Sequence, residues 1–414
     1  TRSECQLTLP LDIKERLRQP DIPPFSPRQT ELLLENRRVI LIILDGISKF
    51  VFDQADIPTI RSLQKNGFSY DHCVTTTPTI TYSAHTSIHT GTYPKVHGIG
   101  LPWTYSPEKG VHRSGDSNFS SYLTDALKLH GMSSAAVSDG AAKNSFVSVY
   151  GEGFFGHSIA DVAADFRHVF FRYKPKLTVV TFYATDTLSH FFGVGHELVH
   201  KALADIDEEI ARFAEELADQ GELDNITWIF TADHGMASAE NPIDAWVDNA
   251  LSRGAWIAPN GRCLLVEDSL VPELLEVDWV DKILSRDVCA SLGLNVDEGR
   301  TLVTLKPGFG YAGSHSEVAN HGGLTEDERR VPLVLSGAGI TAGSSDTPVE
   351  TVDIAPTIAE ALGGARLETF EGRILLEAFG LKPAPEGQAL SHKRRRHYDY
   401  LHSPVVVLDT KHLA

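Results

Sequence analysis

Arg38-Val-Ile-Leu-Ile-Ile-Leu-Asp45-Gly46 is the stretch around which this chain is organised. Its apolar residues run without polar alternation, which is typical of a parallel strand with both faces covered. The run then stops at an aspartate and a glycine. Because ligands bind at the carboxyl ends of strands in open α/β sheets, Asp45 is placed to hold a metal ion. An aspartate that only caps the next helix is the alternative.

The pattern of a buried strand followed by metal-binding residue types occurs twice more. Apolar runs at 177–183 and 226–231 predict two further strands. Carboxylate and imidazole side chains follow each of them, and one more histidine stands in a later loop. The full set is Asp45, Asp186, His190, Asp233, His234 and His321. Parallel strands bring such ends to one edge of the sheet, and mixed carboxylate and imidazole ligands suit zinc. Each residue alone has an ordinary structural explanation, but their conjunction predicts a metal centre.

A hydroxyl-rich segment, residues 75–87, supplies a nucleophile for such a centre. A threonine hydroxyl is a weak nucleophile until a metal ion lowers its pKa. Thr81 and Thr79 are the leading candidates, and spacing alone does not choose between them. The other hydroxyl residues nearby are Thr75, Thr76, Thr77 and Ser83. Without the metal ligands, a helix cap would be the better explanation for any one of these residues.

The remaining pattern predicts an α/β protein with a smaller inserted subdomain. Helices are expected at 57–66, 118–130, 197–219 and 278–292, with another opening at 352–357. Shorter strands are expected at 134–138, 263–266, 301–305 and 331–336, and a loop at 90–98. The predicted parts are an N-terminal arm at 1–36, a core at 37–241 and 313–384, an inserted cap at 242–312 and a C-terminal tail at 385–414.

Charge and composition exclude some functions. The 37 basic and 55 acidic side chains give a net charge of −18, which argues against a nucleic-acid polymer as partner. The basic run at 393–396 is expected to be a solvated surface feature. No apolar run is long enough to cross a membrane, and the first residues have no signal-peptide pattern. A cytoplasmic location is therefore the expectation, and the sequence does not indicate an oligomeric state.

Several motifs together resemble the alkaline phosphatase superfamily. Within it they are similar to the nucleotide pyrophosphatase/phosphodiesterase branch and to phosphonoacetate hydrolase, over roughly residues 38–365. The motifs are, in order, Asp45-Gly46, Pro78-Thr-Ile-Thr81, Thr90-Gly91, Tyr93-Pro-Lys-Val-His-Gly-Ile99, Asp186-x-x-x-His190, Ala232-Asp-His-Gly-Met236 and His321-Gly-Gly323. The resemblance implies a three-layer α/β/α fold, a doubly wound and mostly parallel sheet with a smaller inserted cap.

The resemblance also implies a chemistry. It implies two zinc ions, with manganese as a possible substitute. One ion would be held by Asp186, His190 and His321, and the other by Asp45, Asp233 and His234 together with Thr81. It selects Thr81 over Thr79 as the nucleophile, because in that branch the nucleophile is the second hydroxyl residue after the proline. The implied activity is hydrolysis of a small phosphate ester through a phosphothreonine intermediate.

One departure from the family pattern concerns the substrate. The branch carries an asparagine shortly after the His-Gly-Ile motif, whereas here no asparagine follows Ile99 until Asn118. Tyr105, His112, Arg113 and Lys143 are the candidates for that role. In phosphonoacetate hydrolases, lysines of the corresponding loop bind the substrate carboxylate. Lys143 resembles them and is the single lysine of this loop.

Other functions fit these motifs less well than a phosphodiesterase does, among them a phosphoglycerate mutase, which would use a serine nucleophile. Phosphonoacetate-type cleavage of a carbon–phosphorus bond is the first alternative. A catalytically inactive binding protein on the same fold is the second, although no ligand of the expected set is missing. A sulfatase is disfavoured, because no Cys/Ser-x-Pro-x-Arg motif surrounds Thr81.

Overall fold

The structure is a computed structural model that describes residues 36–113, 120–149, 158–313, 317–365 and 367–382. Nearly all of the expected N-terminal arm and the whole of the expected tail lie outside the described residues, including the basic run. Within the described part of the chain, no helix combines the length and the apolar character that crossing a membrane requires.

Strands account for the central layer of the protein and for several smaller sheets. They are, in chain order, β1 (Arg38–Leu44), β2 (Phe68–Tyr70), β3 (Cys73–Val74), β4 (Trp103–Ser106), β5 (Gly110–Arg113), β6 (Ser134–Val137), β7 (Val147–Val149), β8 (Leu177–Phe182), β9 (Ile226–Thr231), β10 (Ala237–Ser238), β11 (Asn241–Pro242), β12 (Ile257–Asn260), β13 (Cys263–Glu267), β14 (Val280–Leu284), β15 (Arg300–Leu305), β16 (Phe309–Gly310), β17 (Ala319–Asn320), β18 (Arg330–Val331), β19 (Leu333–Gly337), β20 (Gly343–Ser345) and β21 (Val349–Glu350).

The main sheet has the described strand order β20-β2-β19-β9-β1-β8-β6-β7. Strands β9, β1, β8, β6 and β7 run parallel to one another, and β19 runs antiparallel to both of its neighbours. The three central strands are buried along their whole length. This burial explains why β1, β8 and β9 are apolar without alternation, because helices cover both faces of a parallel sheet.

The helices form two groups, which complete the three-layer α/β/α fold. They are α1 (Lys49–Gln54), α2 (Pro58–Lys65), α3 (Thr81–Thr90), α4 (Pro94–His97), α5 (Leu123–Leu129), α6 (Ile159–Tyr173), α7 (Ala184–Phe192), α8 (Glu197–Asp219), α9 (Asp244–Ser252), α10 (Val271–Leu274), α11 (Arg286–Ser291), α12 (Glu326–Arg329) and α13 (Ile354–Ala361). Helix α8 contacts α2, α6 and α7, whereas α13 contacts α3 and α5. The two groups bury the main apolar core against the sheet.

Helix α8 begins and ends where the sequence predicts, at Glu197 and Asp219. Its buried residues recur at helical spacing and face the core, as the amphipathic pattern requires. The expected loop at 90–98 contains the short helix α4, which begins at Pro94, a residue favoured in the first turn of a helix. The expected strand at 331–336 is interrupted, and β19 begins only at Leu333.

The inserted region has a sheet of its own. Strands β12, β13, β15 and β14 pair antiparallel in that order and cover a separate apolar cluster. The helix predicted at 278–292 is wrong over its first half, because 280–284 is strand β14 and the helix begins at Arg286. The segment forms a strand because it pairs with β15, which lies further along the chain. The division into core and cap stays a prediction.

Candidate active site

The central strands place their following residues at one edge of the sheet. In the register of the parallel pairs, Leu44 lies beside Phe182 and Ile43 beside Thr231. The three chains therefore leave the sheet at the same level. Asp45 and Asp233 follow directly and are fully buried, and Asp186 follows on the first turn of α7.

Gly46 allows the three aspartates to approach one another. It has a φ of +73°, and a Cβ added there would lie 2.8 Å from the Asp186 Cα. The Gly46 amide donates a hydrogen bond to Asp233 Oδ1 at 3.2 Å. A side chain at this position would therefore separate Asp45, Asp186 and Asp233, which explains the Asp-Gly pair at the strand end.

The first candidate metal position is formed by Asp186, His190 and His321. Asp186 and His190 are one turn apart on α7, with His190 Nε2 3.5 Å from Asp186 Oδ2. His321 comes from the loop after β17, and its Nε2 is 3.9 Å from Asp186 Oδ1. The ligand atoms of all three residues lie within 4.8 Å of one another. The structure thus brings together the residues that the sequence assigned to one zinc ion.

The second candidate position surrounds His234. Its Nε2 is 3.1 Å from Asp233 Oδ2, 3.8 Å from Asp45 Oδ1 and 2.9 Å from Thr81 Oγ1. Asp45, Asp186 and His234 also offer ligand atoms within 4.8 Å of one another. The two positions are therefore adjacent at the same edge of the sheet.

The histidine tautomers suit metal binding. Nδ1 of His190, His234 and His321 each lies 2.8–3.1 Å from a backbone carbonyl, of Ala319, Gly235 and Thr79 respectively. A carbonyl oxygen only accepts, so each Nδ1 carries a proton and each Nε2 is the ring atom left for a metal ion. All three Nε2 atoms face the carboxylates. This backbone support of the ring is the usual arrangement around metal-bound histidines.

Several carboxylate oxygens of the site lack a hydrogen-bond partner. Among the described residues, neither oxygen of Asp45, nor Asp186 Oδ1, nor Asp233 Oδ2 has a hydrogen-bond partner. Burial, together with the neighbouring aspartates, raises the pKa of Asp45 well above its usual range. Burial also raises the pKa of Asp233, to about 7. Buried carboxylates that repel one another require a compensating cation, so this donor set fits divalent metal ions.

Thr79 and Thr81 have different surroundings, although sequence spacing could not separate them. Thr81 is half-buried at the first position of α3, with its hydroxyl on His234 Nε2. Thr79 is fully buried. Its hydroxyl donates to the Gly323 carbonyl and accepts from the Gly322 amide, both at 2.9 Å. Thr81 therefore faces the site, and Thr79 holds the loop that carries His321.

A buried ion pair supports the same loop from the inserted region. Arg262 Nε donates to Glu328 Oε1 at 3.0 Å, and both side chains are fully buried. Glu328 Oε1 also accepts from the Gly323 amide at 2.8 Å. The His321 loop is thereby connected to both α12 and the cap.

Three further residues behind the site were not assigned a role from the sequence. His85 and His89 lie on α3, four and eight residues after Thr81, and both contact Asp139 at 3.0 Å. Two signals were available. The i, i+4, i+8 spacing places Thr81, His85 and His89 along one side of a helix, and Asp139 follows a strand just as Asp45 does. Both signals involve residue types that are common in ordinary cores.

The residues expected to contact substrate lie at varied positions. Tyr105 packs edge-on against Trp256 of the cap, with ring centroids 6.3 Å apart. His112 Nδ1 lies 2.9 Å from the Gly110 carbonyl. Lys143 is exposed on the loop after β6. The guanidinium of Arg113 is 5.4 Å from the ring of Tyr82, the residue after Thr81. The substrate roles of Tyr105, His112 and Lys143 stay predictions.

Comparison with protein families agrees with the resemblance seen in the sequence. The model for type I phosphodiesterase / nucleotide pyrophosphatase matches residues 39–114 and 103–269, more than half of the chain. The chain belongs to that family. A sulfatase model also matches residues 195–365. The predicted membership of the nucleotide pyrophosphatase/phosphodiesterase branch of the alkaline phosphatase superfamily is thereby confirmed, and with it the class of phosphoester hydrolases.

Individual relatives agree with this membership. Mouse bis(5′-adenosyl)-triphosphatase ENPP4 is 23% identical over 397 residues, which cover 86% of this chain and 80% of that protein. The alkaline phosphatase PafA superposes with a TM-score of 0.67 at 17% identity, covering 83% of this chain and 99% of PafA. Phosphonoacetate hydrolase from Sinorhizobium meliloti gives a TM-score of 0.61 at 18% identity, covering 80% and 96%. The two structural likenesses show the shared fold and confirm the predicted fold class.

Proposed function

We propose that this protein is a two-zinc hydrolase of small phosphate esters, with Thr81 as its nucleophile. The observation that carries the proposal is the arrangement around Thr81. Its hydroxyl lies 2.9 Å from His234 Nε2, beside buried aspartates, and both oxygens of Asp45 and one of Asp233 have no hydrogen-bond partner in the described chain. One zinc would be held by Asp186, His190 and His321, and the other by Asp45, Asp233, His234 and Thr81.

When bound, zinc would lower the pKa of a coordinated hydroxyl and polarise the phosphoryl oxygens. The protein residues supply the rest. Helix α3 begins at Thr81 and directs its hydroxyl to the edge of the sheet. Because Thr81 is half-buried, its proton can leave to solvent and phosphate can enter from the same side. Backbone carbonyls hold the three histidine rings, so that they need not reorient during the reaction.

The reaction has two covalent steps and consumes only the substrate and one water molecule. Thr81 Oγ1 bonds to phosphorus as the bond from phosphorus to the leaving-group oxygen breaks, and the leaving group takes up a proton. Water then bonds to phosphorus as the phosphothreonine bond breaks. Thr81 regains a proton from that water, and the products are an alcohol or nucleotide and a phosphate monoester.

The substrate class that we propose is a phosphate diester or a nucleotide pyrophosphate bond. The family model supports it, and so does the likeness to ENPP4, a bis(5′-adenosyl)-triphosphatase. Phosphonoacetate is the weaker candidate, because among the described residues the loop after β6 offers a single lysine, Lys143, and that lysine is exposed. The inactive binding protein is disfavoured, because the proposed ligands converge as a set.

The test combines metal analysis with a substrate panel. Purified protein should contain close to two zinc ions per chain, lose its activity on treatment with a strong chelator and regain it with zinc or manganese. The panel is an aryl phosphate diester, an aryl phosphate monoester, diadenosine triphosphate and phosphonoacetate. We expect the diester and diadenosine triphosphate to be hydrolysed fastest. Full activity in metal-free protein would refute the two-zinc centre, and exclusive turnover of phosphonoacetate would refute the substrate class.

A further inference from the structure

A buried polar cluster lies on the inner side of the candidate active site. It consists of His85 and His89 on α3, Asp139 after β6 and Thr181 on β8, and none of the four is more than 4% exposed. The proposed reaction does not use any of them directly. Buried groups of this kind are costly unless they are paired, so their contacts indicate what they do.

Asp139 is the centre of this cluster. Its Oδ2 is 3.0 Å from His85 Nδ1, 3.0 Å from His89 Nε2 and 2.9 Å from Thr181 Oγ1. Its Oδ1 accepts from the amides of Ala141 and Ala142, at 2.9 and 3.0 Å. Burial alone would raise the pKa of Asp139, but the two imidazoles outweigh burial and hold that pKa well below its usual range. Asp139 is thus a fully hydrogen-bonded carboxylate.

These contacts favour a hydrogen-bonded support over a third metal site. The ligand atoms of His85, His89 and Asp139 lie within 4.8 Å of one another, which would permit a metal ion. Asp139, however, already accepts from donors outside these three residues, namely the Thr181 hydroxyl and the amides of Ala141 and Ala142. The oxygens of the candidate metal centre differ in this respect, because those of Asp45 have no partner among the described residues.

His85 connects this support to the metal centre. Its Nδ1 is bound to Asp139, and its Nε2, on the other side of the ring, lies 3.5 Å from Oδ2 of both Asp45 and Asp233. The ring also stacks on Tyr183, with centroids 6.0 Å apart and planes at 25°. Tyr183 limits the plane of the ring, and Asp139 fixes which of its edges faces the two aspartates.

We propose that Asp139, acting through His85, is a positioning residue for Asp45 and Asp233. This inference rests on the proposed metal centre, where those two aspartates would hold the second zinc. Groups that orient metal ligands from behind commonly change metal affinity by about 10–100-fold when removed. In the described part of the chain, the hydrogen bonds of Asp139 do not reach Asp186, His190 or His321, the residues of the first zinc position. The effect should therefore fall on one of the two ions.

The experiment is the variant Asp139→Asn, with zinc content and zinc affinity as readouts. An asparagine of the same size can still accept from the Ala141 and Ala142 amides, but its NH2 group then faces the donors on His85 and His89. We expect chelator competition to show one zinc bound 10–100-fold more weakly and the other unchanged. Turnover should fall at limiting zinc and recover when zinc is in excess.

Asp207→Asn is the matched control. Asp207 is also a buried carboxylate that accepts two backbone amides, of Thr59 and Ile60, at 2.9 and 2.7 Å. It lies on α8 and supports the start of α2. This variant should lower the melting temperature without altering the affinity for either zinc.

The other outcomes separate the competing explanations. Wild-type protein that binds no zinc overturns the proposed function, and this inference with it. Two zinc ions at wild-type affinity in Asp139→Asn overturn the positioning role alone. Three zinc ions in the wild type, with only the third lost in the variant, would make the cluster a metal site instead. If Asp139→Asn does not fold, Thr181→Val removes one donor to Asp139 with little change of shape. It should weaken the same zinc by a smaller factor, and unchanged affinity in that variant overturns the proposal.

Discussion

Removing the hydroxyl of Thr81 and that of Thr79 in separate variants should distinguish the nucleophile from a residue that only stabilises the site. We predict that Thr81→Val abolishes turnover, by about four orders of magnitude or more, while the protein stays folded. Its hydroxyl contacts only a histidine ring nitrogen at the open edge of the sheet, so little stability depends on it. Thr79→Val should do the reverse, keeping the nucleophile and losing stability.

The expected loss in Thr79→Val follows from its two hydrogen bonds. Valine preserves the shape of the buried side chain but leaves the Gly322 amide and the Gly323 carbonyl without their partner. A buried polar group left unpaired costs about 1–3 kcal/mol. The free energy of unfolding should therefore fall by about 2–6 kcal/mol. For a chain of this size that corresponds to a decrease in Tm of roughly 2–7 °C. Because Thr79 also holds the loop that carries His321, KM should rise moderately and the affinity for zinc should fall moderately.

The assay measures kcat, KM and Tm for each variant, with Tm recorded in excess chelator so that metal binding does not contribute. Thr227→Val is the control for losing a buried threonine hydroxyl. Its hydroxyl donates to the Ala338 carbonyl at 2.7 Å, at the opposite end of β9 from Asp233. It should lower Tm and leave kcat unchanged. An inactive Thr79→Val beside a fully active Thr81→Val would refute both the nucleophile and the supporting role.

Three further predictions follow from charges and pKa values. Without metal, the pKa of His190 is raised to about 9, because the charges of Asp186 and Glu317 outweigh the effect of burial. Below pH 9, zinc must therefore displace a proton from the His190 ring in order to bind. Calorimetry in buffers of different ionisation enthalpy should show more protons released on zinc binding at pH 7 than at pH 10. Arg113→Ala should raise KM for an anionic substrate more than Lys143→Ala does. Both side chains are exposed, but the Arg113 guanidinium lies 5.4 Å from the ring of Tyr82, the residue after the nucleophile. Equal effects in kinetic assays would contradict this. Burial lowers the pKa of His97 to about 3. As pH decreases, His97 therefore binds a proton in the unfolded state at a higher pH than in the folded state, and the free energy of unfolding falls between about pH 6.5 and about pH 3. In His97→Gln, Tm should depend less on pH in this range, and an unchanged dependence would exclude His97 as its source.

The central strands, and the grouping of the candidate metal-binding residues, could be predicted because both depend on local sequence. An apolar run without alternation indicates a buried strand, and parallel strands place their carboxyl ends together. The residue types after β1, β8 and β9 then indicate metal binding. Helix α8 was predictable for the same reason, since its apolar spacing continues over six turns.

Strand β14 shows where local pattern is insufficient. Its residues, Val280–Leu284, are half-buried at the start and buried at the end, and the sequence pattern there suits a helix equally well. The segment is a strand because it pairs with β15, whose residues lie about twenty positions further along the chain. Such pairing is a property of the folded cap, and no feature within 278–292 indicates it.

The supporting residues of the site were harder to predict than the ligands, for a physical reason. A ligand is recognised by its own residue type, whereas a supporting residue is recognised only by the group that it holds. The partners here are far apart in sequence, 54 positions for His85 and Asp139 and 244 for Thr79 and Gly323. Threonine, histidine and aspartate at such positions resemble ordinary core polar residues until every buried donor and acceptor is matched. Two chains with identical metal ligands can therefore differ in metal affinity through residues such as Asp139, and variants at those positions measure that contribution directly.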